Sequence, residues 1–196
     1  IQNLPLGTFT KDMISPVTGN IDGEMRILGK NNQVTDVVGS VKGRQIGIRG
    51  VVVDTAKANF THADNSTNMT VVGTIGDGAL SGYGYIQNGN IDATISGNAL
   101  PLTALSLIIG QDVDGTLNTS FAIQGTLDNP NVMGTVWGQE VHYKGARFNN
   151  IHGDIKLDNH ILTITNGHIG DGDGGYDVNG WYNLNTDVLD LNAKAR

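Results

Sequence analysis

The sequence predicts an all-β protein: an elongated antiparallel or mixed sheet in the form of a rod or trough, with at most one short helix near residues 102–109. Three observations carry this expectation. The chain of 196 residues aligns with its own second half at a period of roughly 95 residues, a length that belongs to elongated arrays more than to compact enzyme cores. Most of the chain alternates apolar and polar residues with period two, as strands with one buried face do. Its 28 glycines, together with frequent asparagine, supply the positive-φ positions that tight hairpin turns need.

The repeat is anchored at several points. Gly39-Ser40-Val41-Lys42-Gly43-Arg44-Gln45-Ile46 aligns with Gly134-Thr135-Val136-Trp137-Gly138-Gln139-Glu140-Val141, and Ile75-Gly76-Asp77-Gly78 with Ile169-Gly170-Asp171-Gly172. Leu4-Pro5-Leu6 answers Leu100-Pro101-Leu102 near the front of each unit, and Ile91-Asp92-Ala93 answers Leu189-Asp190-Leu191 at the back. The expected organisation is a first β unit over 1–98 and a second over 99–196. Units with no polar cap between them add strands to one growing sheet, so the two are expected to be continuous. About 13 strands at ~4.8 Å spacing would span on the order of 60 Å.

Individual elements follow from the alternation. In the first unit Met25 and Ile27, Ile46 and Ile48, Val51 and Val53, then Ile91, Ala93 and Ile95 mark strand faces. In the second, Ile155 and Leu157 precede a hairpin turn at Asp158-Asn159-His160, and Leu162 and Ile164 follow it. Val178, Gly180, Tyr182 and Leu184 share one face, against Asp177, Asn179, Trp181 and Asn183 on the other. The last strand sets Leu189, Leu191 and Ala193 against Asp190, Asn192 and Lys194. Turn signals such as Asp64-Asn65-Ser66, Asn88-Gly89-Asn90 and Asn185-Thr186-Asp187 separate six or seven strands per unit. Leu102, Leu105, Ile108 and Ile109 fall at helical spacing after Pro101, the pattern of a short helix or of a buried loop.

Composition narrows the function. A formal net charge of −7 and no basic cluster argue against nucleic acid or an anionic membrane surface as partner. The absence of cysteine excludes disulfides, thiol catalysis and cysteine-ligated metals. No run approaches the ~18 apolar residues of a membrane span, and the repeat starts and stops in mid-pattern, as in a fragment of a longer protein. The acids are scattered over turns and polar faces, with no nucleophile elbow, phosphate-cradling loop or carboxylate pair. No enzymatic activity and no cofactor are expected. The five histidines lack the spacing of a metal pair; His142 and His152 could neighbour each other across strands, and solvent-facing positions are expected for all five. Gly170-Asp171-Gly172-Asp173-Gly174-Gly175-Tyr176-Asp177 offers a weak calcium candidate in Asp171, Asp173 and Asp177, but such sites need stacked copies, and a hairpin turn is the simpler expectation.

The second half also carries a recognisable order of motifs. Gly125-Thr126-Leu127-Asp128-Asn129-Pro130 is followed by Tyr143-Lys144-Gly145, then Ile151-His152-Gly153-Asp154-Ile155, then Gly172-Asp173-Gly174-Gly175-Tyr176-Asp177-Val178-Asn179-Gly180. This order resembles the repetitive β-rich region of the periplasmic TamB and AsmA-like family. The first half resembles it weakly, since Asp-Asn-Pro is replaced by Asn31-Asn32-Gln33.

The resemblance implies a long sheet curled into an open U-shaped hydrophobic trough, in a periplasmic protein anchored in the inner membrane outside this segment and meeting an outer-membrane barrel through other parts. The implied activity is conduction of phospholipid between membranes, with a link to outer-membrane protein assembly. The groove would then be lined by Met25, Ile27, Val41, Ile46, Ile48, Phe60, Val71, Ile86, Ile91, Ile95, Ile123, Leu127, Val136, Phe148, Ile155, Leu157, Leu162, Ile164, Val178, Leu184, Leu189 and Leu191. Small residues on that face, among them Gly82, Gly84, Ala93, Gly153 and Gly180, could leave space for acyl chains, whereas a filled β core would use the same apolar positions. A surface β-solenoid adhesin, as in autotransporter passengers, is the alternative; it would show a period of about 20–30 residues.

Overall fold

The computed structural model describes residues 2–6, 17–31, 33–48, 51–104, 113–127, 129–171 and 174–196, with the side chains of Gln33, Ile48 and Asp171 left out. The strands are β1 (Leu4–Pro5), β2 (Thr18–Lys30), β3 (Gln33–Ile48), β4 (Val51–Ala63), β5 (Ser66–Ile75), β6 (Gly78–Gln87) and β7 (Asn90–Pro101). They continue as β8 (Val113–Thr126), β9 (Pro130–Tyr143), β10 (Ala146–Phe148), β11 (Asn150–Asp158), β12 (Ile161–Asp171), β13 (Gly174–Asn183) and β14 (Val188–Ala195).

All belong to one sheet in which each strand pairs antiparallel with the next in sequence, β10 and β11 lying in turn along β9. The sheet is not closed: β1 and β14 stand at its two ends. It is an open, all-antiparallel meander, without the stacked parallel rungs of a solenoid. Of the predicted helix at 102–109, only Leu102–Ala104 lie among the described residues; Leu102 is buried and its N–H donates to the Gly115 carbonyl at 2.9 Å.

Turn chemistry explains why the chain reverses where it does. Asp64 and Asn65 have φ of 49° and 60°, and Asn159 and His160, 95 residues further on, have 47° and 64°. Two consecutive left-handed residues make the type I′ turn whose twist suits a two-residue hairpin. Other details recur at nearly the same interval. Leu6 N–H donates to Gly19 as Leu102 N–H does to Gly115, both at 2.9 Å. The Asn3 amide donates to Asp22 Oδ1, and the Ala99 amide to Asn118 Oδ1. Leu4 faces Ile21 as Leu100 faces Leu117.

The sheet has almost no dry interior. Among the described residues only Ile75, Ala93, Leu102 and Val141 are buried hydrophobics, and no side chain is fully enclosed. The molecule exposes 12616 Å², whereas a compact protein of its mass would expose about 8,900 Å². The excess is the signature of one broad layer in place of two packed layers.

Candidate functional site

Register converts the sequence alternation into a surface. Partners across antiparallel strands project to the same side, so a chain of partners defines a row. One row runs Met25, Gly39, Phe60, Met69, Gly84, Ala93, Ile123, Val132, Leu157, Leu162, Tyr182, Leu189. A second, two residues away along each strand, runs Gly23, Val41, Ala58, Val71, Gly82, Ile95, Phe121, Gly134, Ile155, Ile164, Gly180, Leu191. Neither contains a charged side chain. Each crosses from β2 to β14, about 50 Å at the usual strand spacing.

Most of the expected lining residues fall on this apolar face. Ile27, Ile86 and Ile91 flank the first row, and Val136 and Val178 flank the second. Three lie elsewhere. Leu127 follows β8 and Leu184 follows β13, both in turns and 52% and 40% exposed; Phe148 sits on the short β10 opposite Val141. The Ile48 side chain lies outside the described residues. Met69, Phe121 and Val132 are central to the rows and were not singled out from sequence; a strand-by-strand register would have found them.

Four left-handed residues keep the face apolar where strict alternation would break it. Gln45, Ala99, Glu140 and Asn166 have φ between 49° and 52°. Each adds a residue within its strand, so that the apolar positions before and after it stand three apart. A Cβ on Gly43 would meet Ile46, one on Gly97 would meet Leu100, and one on Gly138 would lie 3.2 Å from Val141 Cγ2. Ile46 thereby joins the same side as Gly43. These are bulges, and their sequence signal is an apolar or glycine spacing of three inside a period-two run.

Of the small positions expected to leave space, Gly180 is covered by a neighbour, whereas a Cβ at Gly153 would meet nothing closer than 3.5 Å and one at Gly84 would meet the small Ala93 Cβ at 3.2 Å. A Cβ at Gly180 would stand 2.7 Å from Leu191 Cδ2, and one at Gly39 would stand 2.5 Å from the Phe60 ring. Large neighbours lie over Gly39, Gly134 and Gly180 and level the surface there. A polar pair interrupts the line beside the first row: His62 Nδ1 and Thr67 Oγ1 are 2.8 Å apart, between Val37 and Ile86. His62 therefore departs from the solvent-facing position expected for it, because Thr67 satisfies its ring nitrogen.

The opposite face is polar and holds two cavities among the described residues. The larger, about 970 Å³, spans β2–β7 beneath Glu24, Arg26, Lys57, Tyr83, Tyr85 and Asp92. The smaller, about 430 Å³, lies on β11–β14. There the His152 and His168 rings are 5.4 Å apart, while His142 faces Asp114 and Arg147 instead of His152. His168 Nδ1 is 3.2 Å from Asp177 Oδ1, and Arg196 Nε donates to Asp177 Oδ2 at 2.7 Å. The Arg196 hydrogen bond, then that from His168, holds the Asp177 carboxyl below its ordinary range.

Of the calcium candidates, Asp177 is paired with the Arg196 guanidinium, and the Asp171 side chain and Asp173 lie outside the described residues. No group of three metal-ligating side chains occurs among the described residues. No described helix is long and apolar enough to cross a membrane. In comparisons with known proteins, the chain matches no family model, no curated protein and no solved structure.

Proposed function

We propose that this chain is a section of a periplasmic conduit on which phospholipid acyl chains travel between two membranes, the anchoring and the contact with an outer-membrane barrel being made by other parts of a longer protein. One observation supports the reading: two apolar rows cross twelve strands without a charged residue, on a sheet that no second layer among the described residues covers.

The energetics suit transport. Removing a methylene from water is worth about 0.8 kcal/mol. A tail of about 14 methylenes covered on one side only would gain roughly 5 kcal/mol, half the value for full enclosure. Such a hold is weak and has no fixed register, so a tail can advance from strand to strand without a specific contact to break. The flattened glycine positions favour this by removing steps along the row.

The experiment is lipid extraction and mass spectrometry on the purified chain after incubation with phosphatidylethanolamine vesicles, with a soluble protein of equal size as control. Phospholipid retained through gel filtration is the expected result. A chain that emerges folded and free of lipid would overturn the reading.

A further inference from the structure

The polar face of the sheet carries exposed aromatic side chains at matching places in its two halves. Tyr83 and Tyr85 stand two residues apart on β6 and so on one side of it, about 7 Å from each other along the strand. Tyr83 is 65% exposed, and Tyr85 is pinned by its hydroxyl, which lies 3.1 Å from Ser66 Oγ. Followed strand by strand from Tyr83 through Thr94, Ala122, Met133, Lys156 and Thr163, the register arrives at Trp181, which is 37% exposed. The sequence repeat pairs these same two residues, Gly82-Tyr83 answering Gly180-Trp181. Each unit therefore sets an aromatic ring at the same level of the polar face.

The groove under the tyrosines supplies the polar half of a recognition surface. Its volume of about 970 Å³ lies at the upper end of the range for small-molecule sites, ~300–1,000 Å³. Glu24 and Asp92 are offset there by Arg26 and Lys57, so the lining is neutral in a chain of net charge −7. Asn68 is the register partner of Tyr85, and Asn59 lies one strand beyond Thr70, the partner of Tyr83. Among the described residues, the side chains of Arg26, Lys57, Asn59, Asn68 and Asp92 have no hydrogen-bond or ion-pair partner. Their donors and acceptors are open to a ligand.

Charge and chemistry select the class of ligand. Single-stranded nucleic acid also stacks on aromatic rings, but it needs a basic groove, and this one is neutral. An extended peptide adds to a strand edge or fills apolar pockets, and a polar face within the sheet offers neither. A sugar ring presents C–H bonds on its flat faces, which stack on the negative π-face of an aromatic ring. Its rim of hydroxyls, each both donor and acceptor, matches amide side chains that serve in both senses. We infer that the polar face binds an uncharged polysaccharide, its sugar rings stacked on Tyr83, Tyr85 and Trp181 and its hydroxyls bonded by Asn59, Asn68 and Asp92. Tyr83 and Trp181 stand six strand spacings apart, about 29 Å along the sheet, a span that a polymer bridges and a single sugar does not. The inference rests on the polar face and is independent of what the apolar face carries.

Native electrophoresis of the chain through gels holding hydroxyethylcellulose, galactomannan or glycol chitin, all uncharged polymers, tests it, with polygalacturonate as the charged control. The expected result is retardation by at least one uncharged polymer and none by polygalacturonate. No retardation by any uncharged polymer, or equal retardation by polygalacturonate, would overturn the inference. A mobility shift with oligothymidylate in place of the polymers would assign the rings to nucleic acid and overturn it as well. Tyr83→Ala and Trp181→Ala should each lower the association constant for the retarding polymer about fivefold, because each removes one stacking surface. Tyr83→Phe keeps the ring and should bind as the unmodified chain does. Alanine variants that bind unchanged, while far-UV circular dichroism shows them folded, would remove the aromatic rings from the site and with them the inference.

Discussion

Phe121 lies across Gly134 on the neighbouring strand: the two are register partners, and a Cβ on Gly134 would stand 2.5 Å from the ring's Cδ1 and overlap the Ser120 carbonyl. The pair is one instance of a pattern in which glycine lets a large neighbour lie flat and level the apolar face. Gly134→Ala should therefore destabilise the protein by about 1–3 kcal/mol, the usual range for overpacking. Urea unfolding followed by tryptophan fluorescence would measure it; an unchanged midpoint would mean that the ring and the Ser120 backbone both shift at no cost.

His160 should gain from the opposite change. It occupies the second left-handed position of the β11–β12 turn with φ 64°, where a residue with a Cβ carries a steric cost and glycine carries none. Its carbonyl accepts from Leu184 N–H at 2.9 Å, a bond that His160→Gly retains. The variant should be more stable by roughly 0.5–1 kcal/mol, read as a higher denaturation midpoint at unchanged slope.

The proposed lipid face has a direct test with an internal control. Ile155 and Ile164 are partners on that face, and Lys156 and Thr163 are partners on the other. Ile155→Asp with Ile164→Asp should lower phospholipid retention roughly tenfold or more, because a tail would then meet two charges in place of apolar surface. Thr163→Asp should leave retention unchanged. Equal losses in both variants, with circular dichroism preserved, would remove the apolar face from the explanation.

Asp177 makes the end of β14 sensitive to acid. Its carboxyl is held below the ordinary aspartate value of about 3.9 by the Arg196 hydrogen bond first and the His168 hydrogen bond second. The folded state therefore binds this proton less readily than the unfolded state. The contribution is complete above the unfolded value and is lost as pH falls through the lower folded one. Hydrogen exchange at Arg196, whose N–H donates to Gly175 at 2.9 Å, should rise relative to the centre of β14 as the pH drops below about 4. Asp177→Asn should already show the loosened end at neutral pH.

The class of fold was legible in the sequence because period-two alternation is local: each strand reports its own two faces, and each pair of polar turn residues reports a reversal. The turn at Asp158-Asn159-His160 and the facing of Val178, Gly180 and Tyr182 were readable for that reason. The alternation could not follow the chain through Gln45, Ala99, Glu140 and Asn166, where one left-handed residue shifts the phase. Nor could it place Leu127, Leu184 and Phe148, which are apolar but sit in turns or on the short β10.

The sequence alone determined that the chain would be a succession of hairpins with one apolar side, since that follows from residue type and spacing. Only the tertiary structure decided that the apolar sides join into uninterrupted rows and that the sheet stays open. Register between strands depends on contacts between residues far apart in sequence, and no local pattern states whether a second layer exists to cover the face.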